Sequence, residues 1–320
     1  MTVEVRTLED VTTTALRPDT TTTPFTQRFD PRLLAALGGF CISLSSVFIK
    51  VSHTSGATSA FWRCLLALPV LVVLAARERR SAGPESRRRT LLPLLAGVGL
   101  GLDFVLWGEA IPRVGAGIAT VLLAVQVIIV PVLAFVFLSE RPAKRFLAAV
   151  PVLLGGVVLA GGFAGTGAFG PDPFTGAVAA LLAGAGYAAY LFLIRLSGGR
   201  GTQARSLLLA TFSAGVVALA LGIPSGTLDL APGWPTFGWL VALALVGQLL
   251  GWLLISAALP RMSATAGATL MLLQPVGAVL LGIGLLGESP GVLQLVGCAG
   301  VVAAVCFAGT GRSAGGRSPG

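Results

Sequence analysis

Residues 110–142 read AIPRVGAGIATVLLAVQVIIVPVLAFVFLSERP and residues 258–290 read ALPRMSATAGATLMLLQPVGAVLLGIGLLGESP. Aligned without a gap, Ala110, Pro112 and Arg113 meet Ala258, Pro260 and Arg261. Further on, Ala116 meets Ala264, Gln126 meets Gln274, Glu140 meets Glu288 and Pro142 meets Pro290, always at a separation of 148 residues. Matched leucines in apolar helices carry little information. Ordered matches of Pro, Arg, Gln and Glu point to an internal duplication.

Each copy encloses an apolar run of about twenty residues, the length that crosses a hydrocarbon core of about 30 Å as a helix. Outward from these two runs the pattern continues. The spacing predicts spans over Leu33–Lys50, Ala57–Ala76, Leu91–Ile111, Gly115–Phe137 and Phe146–Phe163. In the second half it predicts Phe174–Arg195, Arg205–Gly222, Thr236–Ala258, Ala264–Leu286 and Val292–Ala308. The composition agrees: 55% of the 320 residues are hydrophobic, 11% are charged and the mean hydropathy is +0.89. About 25% charge is usual in a soluble domain, so too little charge is available here to cover a surface facing water. The expected fold class is an all-α integral membrane protein of ten transmembrane helices in two five-helix repeats.

The net charge of +9 does not indicate nucleic-acid binding, because the basic residues lie between the apolar runs. With the N-terminus in the cytoplasm, nineteen of the 22 Lys and Arg fall on the cytoplasmic side. The other three are Lys50, Arg113 and Arg63. A missed or extra span would invert every later loop, so the count supports ten spans with both termini cytoplasmic. The chain opens on a polar, Thr-rich tail, and the first span is expected to serve as an uncleaved insertion signal. The expected organisation is a cytoplasmic tail over 1–32, a first repeat over 33–163, a second over 174–309 and a tail over 310–320.

Five spans is an odd number, so the two copies must enter the membrane from opposite sides. Inverted repeats of this kind alternate a central site between the two faces by exchanging conformations. The paired A-x-P-R segments, the Gln within each following helix, and the L-S-E-R-P and L-G-E-S-P links make the chain resemble the drug/metabolite transporter superfamily, specifically its EamA type. The resemblance covers about 33–309. It implies secondary-active or facilitated export of a small metabolite, amino acid or drug-like solute through a central cavity, with the fifth and tenth helices peripheral. Members often carry a basic residue in the second span, a place that Arg63 matches. The seventh span carries no such charge, so any site is expected to be asymmetric.

A charge at mid-membrane costs about 2.5–3.5 kcal/mol on insertion scales, so Arg63 and Asp103 need a reason to be there. By helical rise they lie roughly 9 and 13 Å below one face, near enough to pair. Two readings stand: an ion pair tying the second helix to the third, or a site in which Arg63 takes an anionic group and Asp103 a proton or cation. Lys50 and Glu109 read as solvated rim residues. Gln126, Gln274 and Gln248 fall near mid-membrane and must face the bundle interior, as interhelical links or as solute contacts. Tyr187, Tyr190, Trp107 and Trp252 are candidate cavity walls or packing residues, and Ser43, Ser45 and Ser46 are candidate lining residues.

Cys41, Cys64, Cys298 and Cys306 lie in apolar runs without metal or redox spacing, and His53 stands alone, so no metal or cofactor is expected. A membrane enzyme is the rival reading, with a non-transporting scaffold or sensor behind it. Aspartate clusters for magnesium diphosphate, H-E-x-x-H and the phosphate loop G-x-x-x-x-G-K-[ST] are absent from the sequence. The expected partners are therefore a small solute, a proton or cation as coupling ion, and the lipid bilayer. The sequence leaves the oligomeric state open.

Overall fold

The computed structural model describes residues 29–79, 87–142, 144–163, 170–197, 203–258 and 273–309. These residues form an all-α bundle in which seven helices are long and apolar enough to cross a membrane. The first three are α1 (Pro31–Ser52), α2 (Gly56–Arg79) and α3 (Arg87–Val114). A broken fourth helix follows, α4 (Ala116–Leu122) and α5 (Gln126–Leu138) joined by a 3₁₀ turn at Leu123–Val125, and then α6 (Lys144–Ala160). The second half begins with α7 (Pro173–Ser197) and α8 (Gln203–Gly222). It continues through α9 (Thr236–Ala242), a π-helical segment (Leu243–Leu250) and α10 (Gly251–Ala258), which together make one irregular rod. The last two helices are α11 (Leu273–Leu286) and α12 (Val292–Gly309). Residues 1–28 and 310–320 of the expected tails, Arg261 and Ala264 lie outside the described residues.

Helix ends follow local chemistry. Pro31 occupies the first turn of α1, where its missing N–H would have no intrahelical partner anyway. The Asp30 carboxylate accepts the Arg32 amide at 2.8 Å. His53 closes the same helix in the left-handed conformation, its N–H reaching Lys50 O. The third helix runs a few residues past the expected Ile111, so Pro112 and Arg113 belong to its last turn. A proline so near the end interrupts only one backbone bond, and the break comes at Gly115, whose φ of +94° a residue with a Cβ rarely adopts.

The bundle is small inside and large outside. Ala96, Ala110, Ala119, Ala183, Ala210 and Ala244 are fully buried, while Leu95, Phe137, Leu182, Leu280, Leu285 and Val292 point outward. In lipid, tight van der Waals packing of small residues holds helices together, because apolar tails gain little from burying leucine. Helix α3 packs against both α7 and α8, and α1 packs along α10, α11 and the π segment. Helices α2 and α8 pair, as do α4 and α11, and α6 packs mainly on α12.

Two faces follow from the connections. The start of α7 lies against the end of α3, since a Cβ on Gly176 would stand 2.8 Å from that of Arg113. From there to Arg195 the helix climbs roughly 33 Å, which sets Arg195 on the face opposite Lys50. On the Lys50 face, Glu109 accepts the Gly56 amide at 2.8 Å and Ser55 donates to Thr227 O. On the Arg195 face, Glu78 accepts the amides of Ala204 and Arg205 at 3.3 and 3.0 Å.

Candidate functional site

Four expected residues come together where α2, α3 and α7 meet. Gly99 and Gly186 set the crossing: a Cβ on Gly99 would lie 2.6 Å from Gly186 O, and one on Gly186 would lie 2.7 Å from Gly99 O. The backbones at Asp103 and Tyr190 flank that contact. Arg63 reaches in from α2, with its guanidinium carbon 3.9 Å from the centre of the Phe104 ring. A delocalised cation over an aromatic face is stabilised even where water is scarce. Asp103 and Tyr187 are the electrostatic neighbours of Arg63, and Tyr190 stacks on Tyr187 with centroids 5.8 Å apart and planes at 13°.

The expected Arg63–Asp103 ion pair is not closed. Both side chains are 4% exposed, yet Nε and Nη1 of Arg63 and Oδ1 of Asp103 have no hydrogen-bond partner. The cation is held by the Phe104 ring, and the carboxylate stands close enough to act on it electrostatically without a direct bond. A guanidinium and a carboxylate are thus buried side by side with hydrogen-bonding capacity unused.

The other expected residues lie elsewhere along the helices. Trp107 sits one turn beyond Asp103, buried, with its indole N–H unpartnered. Gln248 lies within the π segment, 1% exposed, and neither amide atom has a partner. A π-helical turn widens the backbone and recurs at functional sites. Gln126 is the first residue of α5, directly after the 3₁₀ turn, and its Oε1 is buried and unpartnered. Gln274 stands against α1, its backbone carbonyl accepting the Ser43 hydroxyl at 2.9 Å. Ser46 bonds back to Ser43 O within its own helix, whereas the Ser45 hydroxyl is buried without a partner. A buried polar group without a partner costs about 1–3 kcal/mol, a loss offset when water or a solute supplies the bond.

Two features escaped sequence reasoning. Thr211 on α8 is fully buried with a free hydroxyl, and it stands 148 residues after Arg63. The repeat offset, extended to the second and seventh spans, was the signal for it. The second is Glu288, which is buried, whereas its repeat mate Glu140 is not. The carboxylate of Glu288 accepts the amides of Ala116 at 2.7 Å and Gly117 at 3.4 Å, and it faces Lys50 Nζ at 3.6 Å. Lys50 also donates to Ile111 O at 3.4 Å, so it is tied into the bundle rather than left as a solvated rim residue. Glu109 is likewise engaged, pairing with Arg113 at 2.7 Å.

Long apolar helices with large apolar side chains on the outside define a polytopic membrane protein. The chain belongs to the EamA-like transporter family, whose model matches it twice, over residues 32–162 and 174–310. It is similar to a protein named uncharacterized transporter YcbK of Bacillus subtilis (strain 168), with 26% identity over 287 residues, covering 83% of this chain and 88% of that protein. A solved crystal structure shares the fold at a TM-score of 0.58 and 15% identity, covering 87% of this chain and 97% of that one.

Proposed function

We propose that the protein is a secondary-active or facilitative carrier that exports a small metabolite, amino acid or drug-like solute by alternating access. Its ten spans form two inverted five-helix repeats, over 33–163 and 174–309, in the plasma membrane with both termini in the cytoplasm. The observation that carries this reading is the buried, unclosed pair of Arg63 and Asp103 beside the Phe104 ring. A purely structural pair would be closed, since two uncompensated buried charges are expensive. Here Arg63 receives an anionic group of the solute, and Asp103 takes up and releases the coupling proton or cation.

Helix pairing supports the inverted arrangement. Exchanging the halves turns the α3–α7 contact into that of the irregular α9–α10 rod with α1. The same exchange turns the α1–α11 contact into that of α7 with α5, while α2–α8, α4–α11 and α6–α12 map onto themselves. Transport around a shared central site follows from such a relation. Gln126, Gln248 and Gln274 reach toward that site from both halves, with Tyr187, Tyr190 and Trp107 as its walls.

Efflux from proteoliposomes, with the solute found by an untargeted metabolite screen of an overexpressing strain, tests the coupling. Wild type is expected to accelerate under a pH gradient and Asp103→Asn to ignore it. Equal dependence in both removes Asp103 from the coupling role. Impermeant labels that reached cysteines at 113 and 261 from the same side would overturn the inverted repeat.

A further inference from the structure

Glu140 and Glu288 occupy the same place in the two repeats, yet the fold treats them differently. Each ends a helix, pairs with a cation from the other half, and does so on its own membrane face. Glu288 meets Lys50 near the end of α1, and Glu140 meets Arg195 near the end of α7 at 2.8 Å. Arg195 stands three residues, about one turn, short of the position equivalent to Lys50, so the two cations are close counterparts. Exchanging the halves therefore exchanges one ion pair for the other.

Their exposures do not match. The side chains of Lys50 and Glu288 are 28% and 4% exposed, and Glu288 also holds the first amides of α4. Those of Arg195 and Glu140 are 52% and 48% exposed, and Arg195 Nη2 reaches both carboxylate oxygens through water-facing space. One motif in two environments within one chain is what two states of a bistable element look like when both are caught at once.

We propose that Lys50–Glu288 and Arg195–Glu140 are reciprocal latches of the transport cycle, an inference that rests on the alternating-access reading above. In this structure Glu288 is buried on the start of α4 behind Lys50, whereas the Arg195–Glu140 pair is formed but half exposed. In the opposite state Glu288 leaves its buried seat while Glu140 and Arg195 become buried. The site at Arg63 then opens toward the Lys50 face. Removing a buried partner weakens only the state in which it is buried, so each glutamate biases the cycle in its own direction.

The full-length chain in proteoliposomes, with its four cysteines replaced, carries spin labels in two pairs. Cysteines at Thr54 and Ser289 report the Lys50 face, and cysteines at Arg141 and Gln203 report the Arg195 face. Pulsed electron-spin distances are expected to show two populations on each face. Glu288→Gln and Lys50→Met should raise the ratio of long to short Thr54–Ser289 distances about tenfold or more, the order expected for a broken buried pair. The same variants should favour the short Arg141–Gln203 distance. Glu140→Gln should shift both ratios the other way, and the double glutamine variant should fall between the singles. A change confined to the mutated face, or shifts of the same sign from both glutamates, overturns the latches while leaving the carrier reading intact. A single population on each face in wild type, unmoved by any variant, overturns both. Glu288→Asp, which keeps the charge, separates a lost latch from a misfolded chain, because it should stay within about threefold of wild type.

Discussion

The guanidinium of Arg63 rests over the ring of Phe104, 3.9 Å from its centroid, while Nε and Nη1 remain without hydrogen-bond partners. The ring holds the cation in place and leaves donors available for a solute. Lysine supplies charge but neither the plane nor the fork. Arg63→Lys should therefore lower solute efflux by about tenfold or more, and Arg63→Met should lower it at least as far. Efflux rates per folded molecule, normalised by size-exclusion profile, check this. A lysine variant at wild-type rate would reduce the requirement to charge alone.

Arg63 and Asp103 act on one another without touching, so their substitutions should not add. Arg63→Gln alone leaves a buried carboxylate, and Asp103→Asn alone leaves a buried guanidinium. Each should destabilise the fold, and the double variant should be more stable than the sum predicts, with a coupling of about 0.5–3 kcal/mol. Thermal unfolding of the four proteins in one detergent measures it. A coupling near zero would place the two charges in separate environments.

How far this was legible follows from range. Several spans were read to within a few residues because hydropathy is local: Phe174–Arg195 was expected and Pro173–Ser197 is found, and Thr236–Ala258 holds for the whole irregular rod, whereas of the expected Ala264–Leu286 only Leu273–Leu286 lies among the described residues. The buried charges were legible too, since Arg63 and Asp103 interrupt apolar runs. What stayed hidden depends on contacts between distant residues. Nothing local tells Glu288 from Glu140, and the burial of Glu288 comes from the distant amides of Ala116 and Gly117 at the start of α4. The spacing of Gly97, Gly99 and Gly101 does not name their partners either: Gly99 meets α7, whereas Gly97 and Gly101 meet α8. The π turn around Gln248 has no marker in its residues.

Gln248 sets stability against function. Both of its amide atoms are buried and unpartnered, so a leucine of similar volume removes an unsatisfied group from the bundle. Gln248→Leu should raise the thermal stability by about 1–3 kcal/mol and lower efflux, the trade expected where a site keeps polar groups ready for a ligand. A glutamine that only links helices gives the opposite stability result, because replacing it then breaks bonds. The sign of the change in unfolding temperature decides between them.

The Gly99–Gly186 crossing is the hinge between packing and the site, and substituting glycines separates the two effects. A methyl on Gly99 would press on the Gly186 carbonyl at 2.6 Å and on the Tyr190 amide at 3.1 Å, so α3 and α7 must part. Gly99→Ala should cost about 1–3 kcal/mol of stability and weaken transport, because Asp103 and Tyr190 ride on the two displaced backbones. Gly155 on α6 and Gly284 on α11 have no neighbour within 4 Å of the added methyl. Alanine there should leave transport unchanged and stabilise the helix by up to about 1 kcal/mol. Small residues in this bundle thus fall into two kinds. Glycines that only let lipid approach are free to change, while those at the crossing hold Tyr190 within reach of the Arg63 site. Equal effects of alanine at 99 and at 155 would show that the approach of α3 to α7 does not position the site.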